Sequence, residues 1–359
     1  MSAPFNINRI SPNLSWAFNK AYYFHWNSEQ DKQFFITYFE KIEKEVKENE
    51  KKIKQNNAND QNRNQDNREA LKNEIAKLKK EKDDFFVNKN KELTSFQLDP
   101  FKSVIKLFSI DLPLAPEGQP SLTIEAPGFV TGTGIKRGTG ELGEIKIGFA
   151  FDYTTGLPFL PGSSVKGLLR SAFPQRYNTQ LQEQSPDFTY NRVCFLQAYF
   201  ESHKINLQTS VTTWLGKLGN IDMPLITYEL AIDILEMSIF SSMIPQNFGV
   251  DNLPVFKTKS SAARDIFFDA YLDVSVNDKA FLATDFITPH LNRKKPELSP
   301  FTEPDPLEFI KVRPGVAFRF QWLLKDDILT ATEKQTLFTH ILKTFGIGAK
   351  TNVGYGQLT

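Results

Sequence analysis

One stretch restricts the fold more than any other: Gly156–Phe173, GLPFLPGSSVKGLLRSAF. Pro161 and Gly162 make a turn, because proline fixes its own φ and glycine tolerates almost any. Ser163 and Ser164 follow as candidate N-caps, with hydroxyls able to accept from the first unpaired helical N–H groups. Val165, Leu168, Leu169 and Ala172 then recur at i, i+3, i+4 and i+7, one apolar face of a helix. Lys166 and Arg170 share another face. A helix start with open N–H groups, serine hydroxyls and cations is chemically an anion site, and phosphate is the anion it suggests.

The chain on either side supplies strands and glycines. Val104, Ile105, Leu107, Phe108, Ile110 and Leu112 form an apolar, β-branched-rich run that Pro113 ends. Residues 123–129 are a plausible short strand. A glycine-rich loop follows, GFVTGTGIKRGTGELGE, with Lys136 and Arg137 in its middle. Its spacing is not a dinucleotide fingerprint, because no strand–GxGxxG–helix order surrounds it. It is either a flexible hairpin tip or a basic loop laid along a nucleic-acid backbone. Ile145, Ile147, Phe149 and Phe151 alternate with Lys146, Gly148 and Ala150, a half-buried strand that leads into the helix start. At the far end the chain closes with FGIGAKTNVGYGQLT. Gly348, Lys350 and Thr351 resemble a P-loop fragment, but Ala349 separates Gly348 from Lys350 and the G-x-x-x-x-G-K-[ST] frame is absent. The glycines there imply backbone that comes close to something, either the helix above or an RNA strand.

Before residue 100 the composition changes twice. Residues 1–30 hold Trp16, Phe18, Tyr22, Tyr23, Phe24 and Trp26 among few charges, so this segment packs against the main body or a partner. From 31 to 92, Lys, Glu, Asn and Gln dominate. Phe35, Phe39, Ile42, Val46 and Ile53 keep helical spacing, as do Leu71, Ile75, Leu78 and Phe85. QNNANDQNRNQDN lies between them. The pattern predicts two amphipathic helices in a hairpin around a polar tip, an arm for protein contacts with a solvated, mixed-sign surface.

Downstream, 190–203 and 225–242 read as largely helical, 266–276 and 307–324 as strands, and 333–344 as a helix with Leu337, Ile341 and Leu342 on one face. The proline-rich segment 284–306, with Arg293, Lys294 and Lys295 at a basic tip, reads as a long functional loop. The net charge is only +1 over 359 residues, so bulk charge singles out no nucleic-acid partner and the case rests on local patches. Cys194 is the lone cysteine, which excludes an intramolecular disulfide and a cysteine-rich zinc site. No motif calls for a cofactor or a metal. The N-terminal residues lack a signal pattern and no apolar run spans a bilayer, so the expectation is a soluble, cytoplasmic protein without a membrane partner.

LPGSSVKGLLRSAF followed far downstream by FGIGAKTNVGYGQL resembles the RAMP superfamily of CRISPR-associated proteins. DIFFDAYL, then TDFITPHL, then PLEFIKVRPGVAFRFQWLL narrow the resemblance to the sixth-subunit family of type III-B, or Cmr, effector complexes. The match covers most of residues 100–359. It implies an α+β, ferredoxin-like (RRM-like) fold with an antiparallel sheet and a Gly-rich C-terminal loop. In that frame 1–30 is the N-terminal part of the domain, 31–92 a helical-hairpin insertion and 93–359 the remainder. The resemblance also implies the partners: guide RNA, target RNA, neighbouring RAMP backbone subunits and the small helical subunit. It implies a place near the guide's 3′ end. Carried over by position, the matching residues are Ser163, Ser164, Lys166 and Arg170 in the first motif and Gly348, Lys350, Thr351 and Asn352 in the last. With Lys136, Arg137, Arg293 and Lys294 they make the expected RNA-contacting set, and the helix start and the terminal loop are expected to meet around one strand.

Some RAMP relatives cut precursor RNA, so the histidines matter. RNA cleavage needs a proton acceptor and a donor at one phosphodiester. His290, near Asp285, is the best candidate among His25, His203, His290 and His340, but sequence brings no second histidine to it. Asp269, Asp273 and Asp285 lack metal-ligand spacing. A non-catalytic scaffold is the expectation, and a guide-processing endoribonuclease the alternative.

Overall fold

A computed structural model describes residues 41–42, 44–53, 65–95, 119–131, 146–147, 150–152, 156–177, 185–219, 224–249, 253–273, 280–287 and 307–359. The expected aromatic N-terminal segment, the strand at 104–112, the basic loop with Lys136 and Arg137, and Arg293, Lys294 and His290 lie outside them. The result is a mixed α+β protein with largely antiparallel sheets. Among the described residues no helix is long and apolar enough to cross a membrane. The chain divides into two units.

The first unit combines Met1–Phe108, Gly132–Pro158 and Asn277–Arg313. Helical residues 41–42 and 44–53 (α1) and the helix Gln65–Thr94 (α2) flank the polar stretch. Leu71, Ile75 and Leu78 of α2 are half-buried while Lys72, Lys77 and Lys79 are exposed, the outcome of a 3.6-residue period. Asn49 Nδ2 donates to Glu74 Oε2 at 3.3 Å, and Lys79 Nζ lies 3.8 Å from Glu50, so the helices run side by side. The arm is tied to a sheet: Asn90 Nδ2 donates to Glu308 Oε2 at 2.8 Å. That sheet has β2 (Lys146–Ile147) parallel to β10 (Leu307–Val312), and β10 antiparallel to β9 (Leu282–Ile287). β3 (Ala150–Phe151) belongs to the same unit.

β9 corrects the loop expected at 284–306, since Thr284–Ile287 are strand. They continue a ladder from Leu282↔Val312 to Ile287↔Leu307, and the Lys311–Asp285 pair at 2.6 Å adds a diagonal cross-strand contact. The prolines that suggested a loop all fall in sequence after β9 and before β10.

The second unit combines Ser109–Thr131, Phe159–Val276 and Pro314–Thr359. Its sheet runs β1 (Ser121–Thr123), β11 (Ala317–Arg319), β8 (Ala270–Leu272), β4 (Pro158–Leu160), each neighbour antiparallel. Alternation decides its faces. Leu122, Phe318, Leu272 and Leu160 are buried on one side. Ser121, Arg319, Tyr271 and Phe159 stand in one cross-strand row on the other.

The helices of this unit are α3 (Gly162–Ser171), α4 (Pro186–Ser202), α5 (Leu207–Lys217), α6 (Tyr228–Phe240) and α7 (Ala331–Phe345). Phe338 of α7 packs at 5.5 Å on Trp322 of β12 (Trp322–Leu323) and at 5.6 Å on Phe267 of β7 (Ile266–Phe267). Phe240 of α6 joins them and meets Phe173, just past α3, at 5.2 Å. This cluster of rings is the core. α7 carries the capping box its sequence T-A-T-E encodes: Thr330 Oγ1 accepts from Glu333 N–H at 3.2 Å, and Glu333 Oε2 accepts from Thr330 N–H at 2.8 Å. α5 and the hairpin of β5 (Met243–Phe248) and β6 (Pro254–Thr258) are elements the periodicity did not announce.

Candidate nucleic-acid interface

The start of α3 is built differently from its sequence expectation. Pro161, not a serine, is the N-cap, and it supplies no side-chain cap hydrogen bond. Ser163 and Ser164 fall two and three positions past the cap, at the second and third helical residues, where both are exposed. The Pro161 carbonyl accepts from Ser164 N–H at 2.8 Å and Val165 N–H at 3.1 Å. Gly162 N–H donates to Asp269 Oδ1 at 2.7 Å, so the protein already supplies one anion to this helix end. A Cβ at Gly162 would sit 2.6 Å from the Phe267 carbonyl oxygen, which is why glycine opens the helix.

The two cations of α3 have different surroundings. Arg170 Nε donates to Glu236 Oε1 at 3.0 Å, and Gln175 N–H donates to Glu236 Oε2 at 2.8 Å. Glu236 is 1% exposed, and burial pushes its carboxyl up while Arg170 pulls it down. Arg170 is therefore an anchor for α6. Lys166 is half-buried, with Nζ 5.8 Å from the Phe267 ring centroid. Burial first, then the charge of Arg170, lowers its ammonium pKa, and Asp265 opposes that.

The terminal loop folds on its own chain. Gly346, Gly348, Gly354 and Gly356 have positive φ, and Lys350 adopts a left-handed conformation at φ 62°, ψ 30° before a 3₁₀ turn at Thr351–Val353. A Cβ on Gly348 would collide with Val130 O and the Phe129 ring, and one on Gly356 with Ile347 O. Ala349 N–H donates to Val130 O at 2.7 Å, Gly356 N–H to Gly128 O at 2.8 Å and Ile347 N–H to Gly356 O at 2.8 Å. The expected close approach is thus to residues 128–130 and to the loop itself. Gly348, Lys350 and Asn352 are exposed and Thr351 is half-buried.

The helix start and the terminal loop do not meet. α3 springs from the edge of the sheet marked by Leu160↔Ala270 and by Phe320 N–H donating to Pro120 O at 3.0 Å. The terminal loop leaves the opposite edge, where Gly315 N–H donates to Ile124 O and Glu125 N–H to Gln357 O. From Val316 to Phe320 the strand spans roughly 13–15 Å, at about 3.3 Å per residue. The antiparallel order of the strands enforces this separation, and sequence spacing does not reveal it.

Histidines do come together, but not the expected one. His203 and His340 both lie against Tyr199, at 4.1 and 5.0 Å between ring centroids, and Phe195 stacks on His340 at 5.6 Å. With Gln335, Thr336, Thr339 and Lys343 they line a cavity of about 320 Å³. His203 Nδ1 is 2.9 Å from the Tyr199 carbonyl. Burial, then the charge of His203, lowers the His340 pKa, while burial raises the Tyr199 phenol to about 12. The Tyr199–His203 spacing of one helical turn was the only sequence signal for this group.

The scattered aspartates have structural partners. Asp269 holds Gly162, Asp273 lies 3.2 Å from Arg319, and Asp285 pairs with Lys311. Among the described residues no group of His, Cys, Asp or Glu could hold a metal ion.

The sequence model of the RAMP superfamily matches residues 122–359, well over half of the chain. The chain belongs to that superfamily. This RAMP protein is 26% identical over 213 residues to the "CRISPR system Cmr subunit Cmr6" of Pyrococcus furiosus, and it is a distant homologue of that subunit. The alignment covers 56% of the chain and 58% of that relative. Among solved structures, a type III-B Cmr-beta complex bound to cognate target RNA holds a chain 20% identical, with a TM-score of 0.44, covering 78% of this chain and 72% of that one. The crystal structure of the Pyrococcus furiosus Cmr6 is 22% identical with a TM-score of 0.31, covering 67% and 95%.

Proposed function

We propose that this RAMP protein is a non-catalytic, RNA-binding scaffold subunit of a type III-B CRISPR effector complex, built on a ferredoxin-like core. In this reading it caps the backbone near the 3′ end of the guide RNA, beside neighbouring RAMP subunits and the small helical subunit. The observation that carries it is the superfamily match over 122–359 together with the Cmr6 relative.

The polar residues of the terminal loop, exposed Lys350 and Asn352 and half-buried Thr351, contact RNA through phosphates, with Gly348 giving the backbone its approach. At the other sheet edge Ser163, Ser164 and Lys166 contact a separate stretch. Arg170 supports that edge through Glu236. Lys136, Arg137, Arg293 and Lys294 contribute basic loops on the grounds of sequence alone. Phosphate contacts fix register and carry no base information, which suits a subunit that accepts any guide sequence.

The test is reconstitution of the complex from the full chain, guide RNA and the remaining Cmr subunits. Lys350→Glu is expected to weaken guide retention and to flatten its salt dependence. Unchanged retention and an unchanged slope reject the terminal-loop contact. Failure of the wild-type chain to join the complex rejects the functional reading itself.

A further inference from the structure

The face of the second unit's sheet turned away from the ring core carries an unusual row. In cross-strand register, Phe159 of β4 faces Tyr271 of β8, Tyr271 faces Arg319 of β11, and Arg319 faces Ser121 of β1. Phe159 and Tyr271 stack with their planes 19° apart and their centroids 6.0 Å apart. Tyr271 remains 37% exposed, although burial of so large a ring is normally favourable. The next group along is the planar guanidinium of Arg319. Its side chain is 43% exposed, while its partner Asp273 is 4% exposed beneath it. Both hydrogen bonds to Asp273 run through Nη2. The outward pole of this ion pair is the cation, with Nε and Nη1 uncommitted among the described residues.

We propose that the Phe159–Tyr271 pair with Arg319 is a stacking platform for unpaired bases of single-stranded RNA, the rings taking a base face and Arg319 the adjoining phosphate. Every base has a π face, so stacking on tyrosine is sequence-tolerant, and an exposed guanidinium matches the negative backbone. This rests on the reading of the protein as an RNA-binding subunit, and adds a base-contacting surface to a site otherwise made of phosphate contacts.

The test uses the full chain and a fluorescein-labelled oligoadenylate of about 12 nucleotides, read by anisotropy. Tyr271→Ala is expected to weaken binding about tenfold, within the usual range for one stacked base. Tyr271→Phe is expected to retain affinity, and Tyr271→Leu to lose as much as Tyr271→Ala, because leucine keeps apolar area but no π face. Arg319 is left intact, since it is hydrogen-bonded to the buried Asp273 and its loss would disturb the fold as well as the platform. A 5-iodouridine-substituted strand is expected to photocrosslink to Tyr271. If Tyr271→Leu binds as tightly as Tyr271→Phe, stacking is wrong. If Tyr271→Ala spares RNA affinity but blocks co-purification with other Cmr subunits, the face docks protein and the proposal falls. In either case weakening by Lys350→Glu would leave the RNA-binding reading standing. Absence of RNA binding by the wild-type chain, alone and in the complex, would remove both.

Discussion

Asp233 shows what one buried side chain does to this protein. It sits in α6 at the level of Arg176, whose Nη1 is 3.3 Å from Oδ2. Burial pushes its carboxyl from 3.8 to about 7; Arg176 opposes the shift, and Glu236 and Glu229 add to it. The folded state therefore holds the proton that the unfolded state has already released. Its favourable contribution is complete below about pH 4 and is lost as pH rises through 7, at most about 4 kcal/mol by linkage. Asp233→Asn should thus raise the melting temperature at pH 8, with the gap closing near pH 4 in thermal scans at both pH values. A constant gap would assign the effect to packing. Sequence offered no hint of this. Asp233 and Glu236 sit in YELAIDILEMSIF, where a helical period leaves polar residues free to face outward. The approach of α3 and α5 buries the whole turn instead. Arg170 was read as a cation for an external anion for the same reason: its partner, Glu236, is 66 residues away.

Elements were readable where a single period governed them. α3 and α7 follow their apolar faces, and the T-A-T-E cap of α7 is formed as encoded. β9 was hidden because only partners 20–26 residues away turn Thr284–Ile287 into strand, and the β5–β6 hairpin because Pro245 and Pro254 look like breakers. What joins the elements is also long-range. Lys334, 0% exposed in the first turn of α7, lies 2.8 Å from Asp265 before β7 and 2.8 Å from Asp327 in the preceding loop. Lys259, at the end of β6, reaches Asp327 at 2.6 Å, and Ser238 of α6 donates to the same carboxylate at 2.8 Å. Removing the central cation takes the counter-charge from buried Asp265 and leaves Asp327 with Lys259 alone. Lys334→Met is expected to cost about 3–5 kcal/mol in urea denaturation. A loss below about 1 kcal/mol would mean that the carboxylates take up protons, a response that a pH series of the same variant would expose.

At the scale of the molecule, the pairing order of the sheet decides how the RNA of the proposed function could be held. Glycine spacing gave both candidate turns, yet spacing has no direction. Only the antiparallel run of β4, β8, β11 and β1 sends the α3 start to one edge and the terminal loop to the other. That placement argues against a grip on one phosphate by both, and under the proposed function the two motifs make two independent contacts. Independence has a measurable form, because substitutions more than about 10 Å apart with no shared partner add. Lys166→Gln and Lys350→Gln should each lower the slope of log affinity against log salt by about 0.7 for single-stranded RNA. The double variant should lower it by the sum, with binding free energies additive within about 0.5 kcal/mol. A double variant no weaker than Lys350→Gln would mean that Lys166, half-buried over Phe267, serves packing and touches no phosphate. Coupling well above 0.5 kcal/mol in such a cycle would mean that a single strand bends back to bridge both edges, and RNA rather than protein would then bring the two motifs together.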